Sequence, residues 1–172
     1  MKKPILLFTI AAMLSAFTPP SGVSEKTRIH SSKKLGLEII RAAANHSEAE
    51  FLALLPTISD FHGIMNANAG VYRQNIAEAQ KEFSGVYASQ VVPQAKKAFS
   101  ELLRQAEERK IDWRTIEVTG IDTGNEPDAT LSFVTVTVHF LSKDKPYAMV
   151  IDKSLVWNGQ WKVSQYIRLV EG

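Results

Sequence analysis

The chain of 172 residues contains no cysteine. That absence removes disulfides, thiolate nucleophiles, cysteine-ligated zinc and iron–sulfur clusters, and also the acylated cysteine of a bacterial lipoprotein. No Gly-x-Ser-x-Gly, Walker or glycine-rich dinucleotide pattern is present, so serine-hydrolase, NTPase and Rossmann chemistry find no support. Histidine is scarce as well. His30, His46, His62 and His139 stand apart, with no spacing that sets two imidazoles on one face of a helix or strand. A metal site would have to be assembled entirely by the fold, and no metal or other cofactor is expected. Internal repeats and low-complexity stretches are also missing.

Long hydrophobic runs are limited to the beginning of the chain. Lys2 and Lys3 precede an uncharged apolar stretch from Ile5 to Phe17, too short to span a bilayer and of the length of a secretory h-region. Residues 1–22 therefore read as a signal peptide, with cleavage possible after Ala16, Gly22 or Ser24. Pro19-Pro20 breaks the run before the polar continuation. The expectation is export to a periplasmic or extracellular location, with no stable membrane span after cleavage. Residues 23–31 form a polar lead, and 32–172 a single domain.

An excess of either charge is lacking too. The leader holds only Lys2 and Lys3 of the 20 basic residues, so the remainder balances the 18 acidic ones. Nucleic-acid binding, which draws on a basic face or tail, is not expected. Lys33-Lys34, Lys96-Lys97 and Lys143-Asp144-Lys145 read as solvated surface. With 45% apolar and 22% charged residues, the chain has the composition of a soluble globular domain that rests on its hydrophobic core.

What is present divides into a helical half and a strand half that meet near Asp112. Ser31-Ser32 supply N-caps for a helix carrying Leu35, Ile39, Ile40 and Ala43, which Asn45-His46 ends. Ser47 and Glu50 have the spacing of a capping box before Phe51, Leu52, Leu54 and Leu55, and Pro56 closes this short second helix. From Gly70 to Lys110 one apolar stripe runs through Tyr72, Ile76, Ala79, Phe83, Val86, Tyr87 and Val91 into Ala95, Phe99, Leu102 and Ala106. Pro93 inside it predicts a kink or the start of a new helix.

The period then changes from 3.6 to 2. Thr115–Ile121, Thr130–Leu141, Tyr147–Trp157 and Gln160–Leu169 are rich in β-branched and aromatic residues and predict four antiparallel strands. Asn158-Gly159 predicts a two-residue type I′ hairpin turn. That turn pairs Val156 with Trp161, Ser154 with Val163, Asp152 with Gln165 and Val150 with Ile167 on the face the helices should cover. The opposite face, with Met149, Ile151, Leu155, Trp157 and Tyr166, suits partial exposure or a homodimer contact through the sheet. At the turn around Asp144, a two- or four-residue loop would cover Phe133, Thr135, Thr137 and His139. A three-residue loop or a bulge would cover Val134, Val136, Val138 and Phe140 instead, and burial favours these.

Short helices, a long helical segment and then a meander of strands ending in SLVWNGQWKVSQYI resemble the NTF2-like superfamily of α+β cones, across most of residues 32–170. The final hairpin, Asn158 to Val163, is the most specific point of likeness. Asp60-Phe61-His62 is the second. Lys110 to Val118, KIDWRTIEV, is similar to uncharacterised exported bacterial members. The resemblance implies N-terminal helices packed on a curved antiparallel sheet of four or more strands, a pocket inside, and commonly a dimer through the sheet. No complete Asp-His or Tyr-Asp catalytic set of the superfamily's enzymes can be matched here.

Two constellations could carry chemistry. Asp60 and His62, in a loop between helices, are the catalytic candidates, as an acid–base couple if both face a cavity. Asp152, Ser154 and Gln165 converge in an otherwise apolar face and, with His139 and Tyr72, form the candidate ligand-binding set. The functional expectation is an exported non-catalytic domain that binds a small apolar or amphipathic ligand or a protein partner. An acid–base enzyme of isomerase or dehydratase type and a dimerising structural module are the alternatives.

Overall fold

The computed structural model of the protein describes residues 29–70, 75–124, 131–163 and 166–171. The leader and most of the polar lead lie outside the described residues. Among the described residues five α-helices and one π-helical turn precede five strands in an α+β arrangement, and the antiparallel sheet curls into a half-barrel.

The helices form where caps and apolar spacing coincide. Ser31 accepts from the Lys34 amide to start α1 (Ser32–Ala44), and Ser47 accepts from the Glu50 amide to start α2 (Glu48–Leu52). The Glu50 carboxylate does not close the expected reciprocal box. It takes the Asn45 side-chain amide at 3.2 Å instead. Asp60 and His62, read from sequence as lying in a loop between helices, fall instead in α3 (Ile58–Ala67). Its reason is local: the Thr57 hydroxyl accepts from the Asp60 amide while the Asp60 carboxylate accepts from the Thr57 amide, a complete capping box at Thr57-x-x-Asp60. The long stripe becomes α4 (Ile76–Val86), a π-helical turn (Tyr87–Val91) and α5 (Val92–Glu108). Pro93 sits in the first turn of α5, directly after the π-helical turn, where the wider winding accommodates a residue without an amide hydrogen.

The sheet runs β1 (Glu117–Thr123), β2 (Leu131–Ser142), β3 (Lys145–Trp157), and then both β4 (Gln160–Lys162) and β5 (Tyr166–Glu171) pair with β3. The last expected strand is thus split. Asn158 and Gly159 take positive φ, 49° and 70°, and set Val156 opposite Trp161 as expected. Beyond that point the pairing differs. Lys153 adopts φ 56° as a β-bulge against β2, where Val134 pairs with Ser154 and Val136 with Ile151. The pairs with β5 are Ile151 with Ile167, Val150 with Arg168 and Asp152 with Tyr166, one step from those expected, because two residues separate Asp152 from Leu155 while three separate Lys162 from Tyr166. Because side chains alternate, a slip of one residue reverses the faces. Met149 and Ile151, expected on the outer face, are therefore fully buried under the helices, and Asp152 points to the other side. The Lys143-Asp144 turn has two residues, both with positive φ, yet Val134, Val136, Val138 and Phe140 are the covered set. The bulge reconciles that short turn with burial of the valines.

The main core lies between this sheet and α1, α2 and α5. Phe51 of α2 stacks on Phe99 of α5 at 4.5 Å, and Trp113, Phe140 and Tyr147 continue the aromatic layer. Trp161 and Val163 are buried in it. These side chains fill the layer where a cone would hold its pocket. A second, smaller cluster forms on the sheet's other face, where Ile64 of α3 packs on Leu131, Leu155 and Trp157. That contact covers two residues of the proposed dimer face, and of the five named for it only Tyr166 is exposed. Outer edges of the sheet are capped by other parts of the chain. The Trp161 amide donates to the Ile29 carbonyl at 2.8 Å, the Val163 amide to the Leu54 carbonyl at 2.9 Å, and the Leu169 amide to the Gln105 side-chain oxygen at 3.3 Å.

Gly36 marks the closest approach of α1 to the sheet. A Cβ there would meet the Val138 Cγ2 at 2.6 Å, with the Ile121 Cδ1 at 3.2 Å behind it. Gly36→Ala is expected to destabilise the protein by about 1–3 kcal/mol through overpacking, measured by urea unfolding, despite alanine's better helix propensity. The Ser154 hydroxyl is fully buried without a hydrogen-bond partner. Ser154→Ala is expected to raise stability by about 1 kcal/mol in the same assay, because it deletes an unsatisfied polar group and leaves little space.

Candidate functional site

The capping geometry of α3 decides the fate of Asp60. Its Oδ2 accepts from the Thr57 amide at 2.7 Å and from the Thr57 hydroxyl at 2.8 Å, and lies 3.7 Å from the Lys162 ammonium of β4. The carboxylate thus starts a helix and ties it to the sheet. His62, two residues on along the same helix, points elsewhere, since residues at i and i+2 do not share a helix face. Its Nε2 lies 3.3 Å from the Gln80 carbonyl and 3.4 Å from the Ser84 hydroxyl of α4. The Ser84 hydroxyl is itself committed to the Gln80 carbonyl at 2.8 Å. Asp60 and His62 are therefore brought into separate seams and do not assemble as an acid–base couple.

Tyr87 joins this region without having been singled out from the sequence as more than a core aromatic. Its hydroxyl donates to the Pro56 carbonyl at 2.8 Å, linking the residue after α4 to the residue before the Thr57 cap of α3. Burial raises its phenol above the ordinary value, and the nearby Asp60 carboxylate adds to that rise. The neutral phenol is the form the fold prefers.

The expected ligand-binding set is dispersed. Asp152 lies 3.3 Å from the Arg168 Nε on the face away from the main core. Ser154, on the far side of the Lys153 bulge, is sealed inside that core. The two do not converge, because the extra residue between them turns one outward and the other inward. Gln165 and Tyr72 lie outside the described residues. His139 is the member of the set that reaches an open cavity.

That cavity is a groove of about 330 Å³ at one end of β1, β2 and β3, lined by Thr119, Gly120, His139, Phe140, Leu141, Pro146 and Tyr147. Its walls are mainly apolar and it opens to solvent. The His139 Nε2 lies 3.1 Å from the Asp122 Oδ2, with both side chains substantially exposed. The juxtaposition depends on a second bulge, at Thr119, which shifts the pairing from Val118 with Phe140 to Gly120 with His139 and carries Asp122 beside the imidazole. A carboxylate on one ring nitrogen fixes the tautomer and leaves the other nitrogen as an acceptor. The arrangement can therefore hold an apolar group against Leu141 and Pro146 and take a hydrogen bond from a hydroxyl or amide.

No family model, curated protein or solved structure matches the chain. Among the described residues no group of three or more His, Cys, Asp or Glu side chains is placed to hold a metal ion, and no helix is long and apolar enough to cross a membrane.

Asp122 escaped the sequence reading because its place beside His139 follows from the Thr119 bulge, which the adjacent Gly120 inside the strand could have signalled. The Tyr87 environment gives a direct test. A phenol raised in the folded state contributes stability that is complete below the ordinary tyrosine value and is lost as pH rises through the folded value. The phenolate absorbance of Tyr87, taken as the difference between the protein and Tyr87→Phe, is expected to appear above pH 10. Asp60→Asn is expected to lower that midpoint while leaving it raised, since burial is the larger cause.

Proposed function

We propose that the chain is an exported, non-catalytic domain on an NTF2-like scaffold that binds a small amphipathic molecule in the groove beside His139. The observation that carries this reading is the meeting of an open, mainly apolar groove with one oriented imidazole. Ligand sites commonly combine apolar walls with a few placed polar groups. The filled layer between sheet and helices supports a site outside the main core, and the lysines followed by the apolar run Ile5–Phe17 support export. The occupant is a molecule with an apolar body and a hydroxyl or amide that donates to the free nitrogen of His139.

The Asp122–His139 pair also supports a second reading, general acid–base chemistry on the same molecule, because a carboxylate-oriented imidazole is suited to proton transfer. The first reading expects binding without turnover.

Native mass spectrometry of the protein purified from the exported fraction is expected to show a co-purified small molecule. On adding that molecule back, amide chemical-shift changes should centre on residues 119–120 and 139–147. His139→Ala should weaken binding by roughly tenfold, the effect of one lost hydrogen bond, and Asp122→Asn by a smaller factor. Shifts elsewhere, or an unchanged affinity in His139→Ala, would overturn the groove assignment, and chemical conversion of the molecule would favour the acid–base reading.

A further inference from the structure

The α3–α4 hairpin stands apart from the main core. That core takes side chains from Ile29 to Leu55, then nothing described until Ala95. The hairpin is held by its own small cluster, Ile64 on Leu131, Leu155 and Trp157, and by the Asp60–Lys162 ion pair at 3.7 Å. Pro56 and Thr57 precede α3, and the π-helical turn Tyr87–Val91 follows α4. The Tyr87 hydroxyl bridges the two at the Pro56 carbonyl. A segment with few buried apolar contacts and a seam of its own opens at lower free energy than the core it rests on, and π-turns within helices recur at functional sites.

Lifting the hairpin has a defined chemical result. Asp60 leaves with α3, while Lys162 remains on β4 beside Leu155, its cross-strand partner. The surface left behind has three large apolar side chains and one ammonium whose countercharge has gone. Its complement is a molecule with an apolar tail and an anionic head. We infer that the hairpin is a lid over a site for a long-chain carboxylate, whose tail lies on Leu131, Leu155 and Trp157 and whose carboxylate takes the place of Asp60 on Lys162. This site is at the opposite end of β2 from the His139 groove and stands independently of it.

Hydrogen exchange followed by mass spectrometry on the full chain, with monomeric laurate as the probe and dodecyltrimethylammonium as its cationic counterpart, tests the inference. In the free protein, α3 and α4 are expected to exchange faster than α5. Laurate should speed exchange in α3 and α4 further and slow it at residues 155–157, and the cationic probe should do neither. Lys162→Met, which keeps the apolar stem, should weaken laurate binding by roughly tenfold, the effect of a lost charge-assisted contact.

Gly63→Ala supplies a second variant that does not threaten folding. The added methyl would sit 3.7 Å from the Trp157 Nε1, an ordinary contact, and alanine favours the helix. It should lower the open fraction, and with it the apparent laurate affinity, by roughly fivefold. Equal exchange of the hairpin and α5, no response to laurate, an equal response to the cationic probe, or unchanged laurate affinity in Lys162→Met would each overturn the lid. Laurate protection confined to residues 139–147 would overturn it while supporting the groove. Loss of the groove reading through His139→Ala would leave the lid standing.

Discussion

The architecture depends on one lysine held in a conformation lysines avoid. Lys153, at φ 56°, inserts an extra residue into β3, the strand that pairs with β2, β4 and β5. On one side of it Tyr147, Met149 and Ile151 face the helices, and on the other side Ser154 and Val156 do. A regular strand could bury only one of these sets. The left-handed backbone costs about 1 kcal/mol at a residue with a Cβ, far less than exposing either run of apolar side chains would. By reversing the faces midway, the bulge also gives the sheet an apolar patch on each side. One patch serves the main core, and the other receives α3.

This two-sided use of the sheet explains where the polar groups went. Asp60 caps α3 and meets Lys162, His62 meets α4, and Asp152 meets Arg168, so three residues that looked available for chemistry join elements together. His139 differs because it lies on the face of β2 away from α1, at the open groove. A second bulge then brings Asp122 alongside.

Much of the fold was legible in the sequence. The caps of α1 and α2, the change of period after α5, the Asn158-Gly159 turn and the buried valines of β2 rest on local rules that the rest of the structure does not contest. What was illegible has a common cause. A bulge at a residue other than glycine leaves no mark in composition, yet it moves every pairing beyond it by one. The faces expected for Asp152 and Ile151, and with them the convergence of Asp152 with Ser154, failed for that reason. Of the candidate site, only His139 could be recognised as a lining residue from sequence. α3 was a different kind of miss, since Thr57 and Asp60 have capping-box spacing with aspartate in the place usually given to glutamate or glutamine, and Ile58, Phe61 and Met65 follow at helical intervals.

The wide turn at Tyr87–Val91 has a geometric consequence for the stripe that crosses it. Phe83, Tyr87, Val91, Ala95 and Phe99 recur every fourth residue, and on a straight α-helix each such step would rotate about 40° past a full circle. Repeated along the segment, that drift would carry Phe83 well out of line with Phe99. A turn closed by longer-range hydrogen bonds holds more residues and takes back part of the rotation. The segment acts as a phase correction, letting one run of chain serve two neighbouring apolar clusters without a break in its helical backbone.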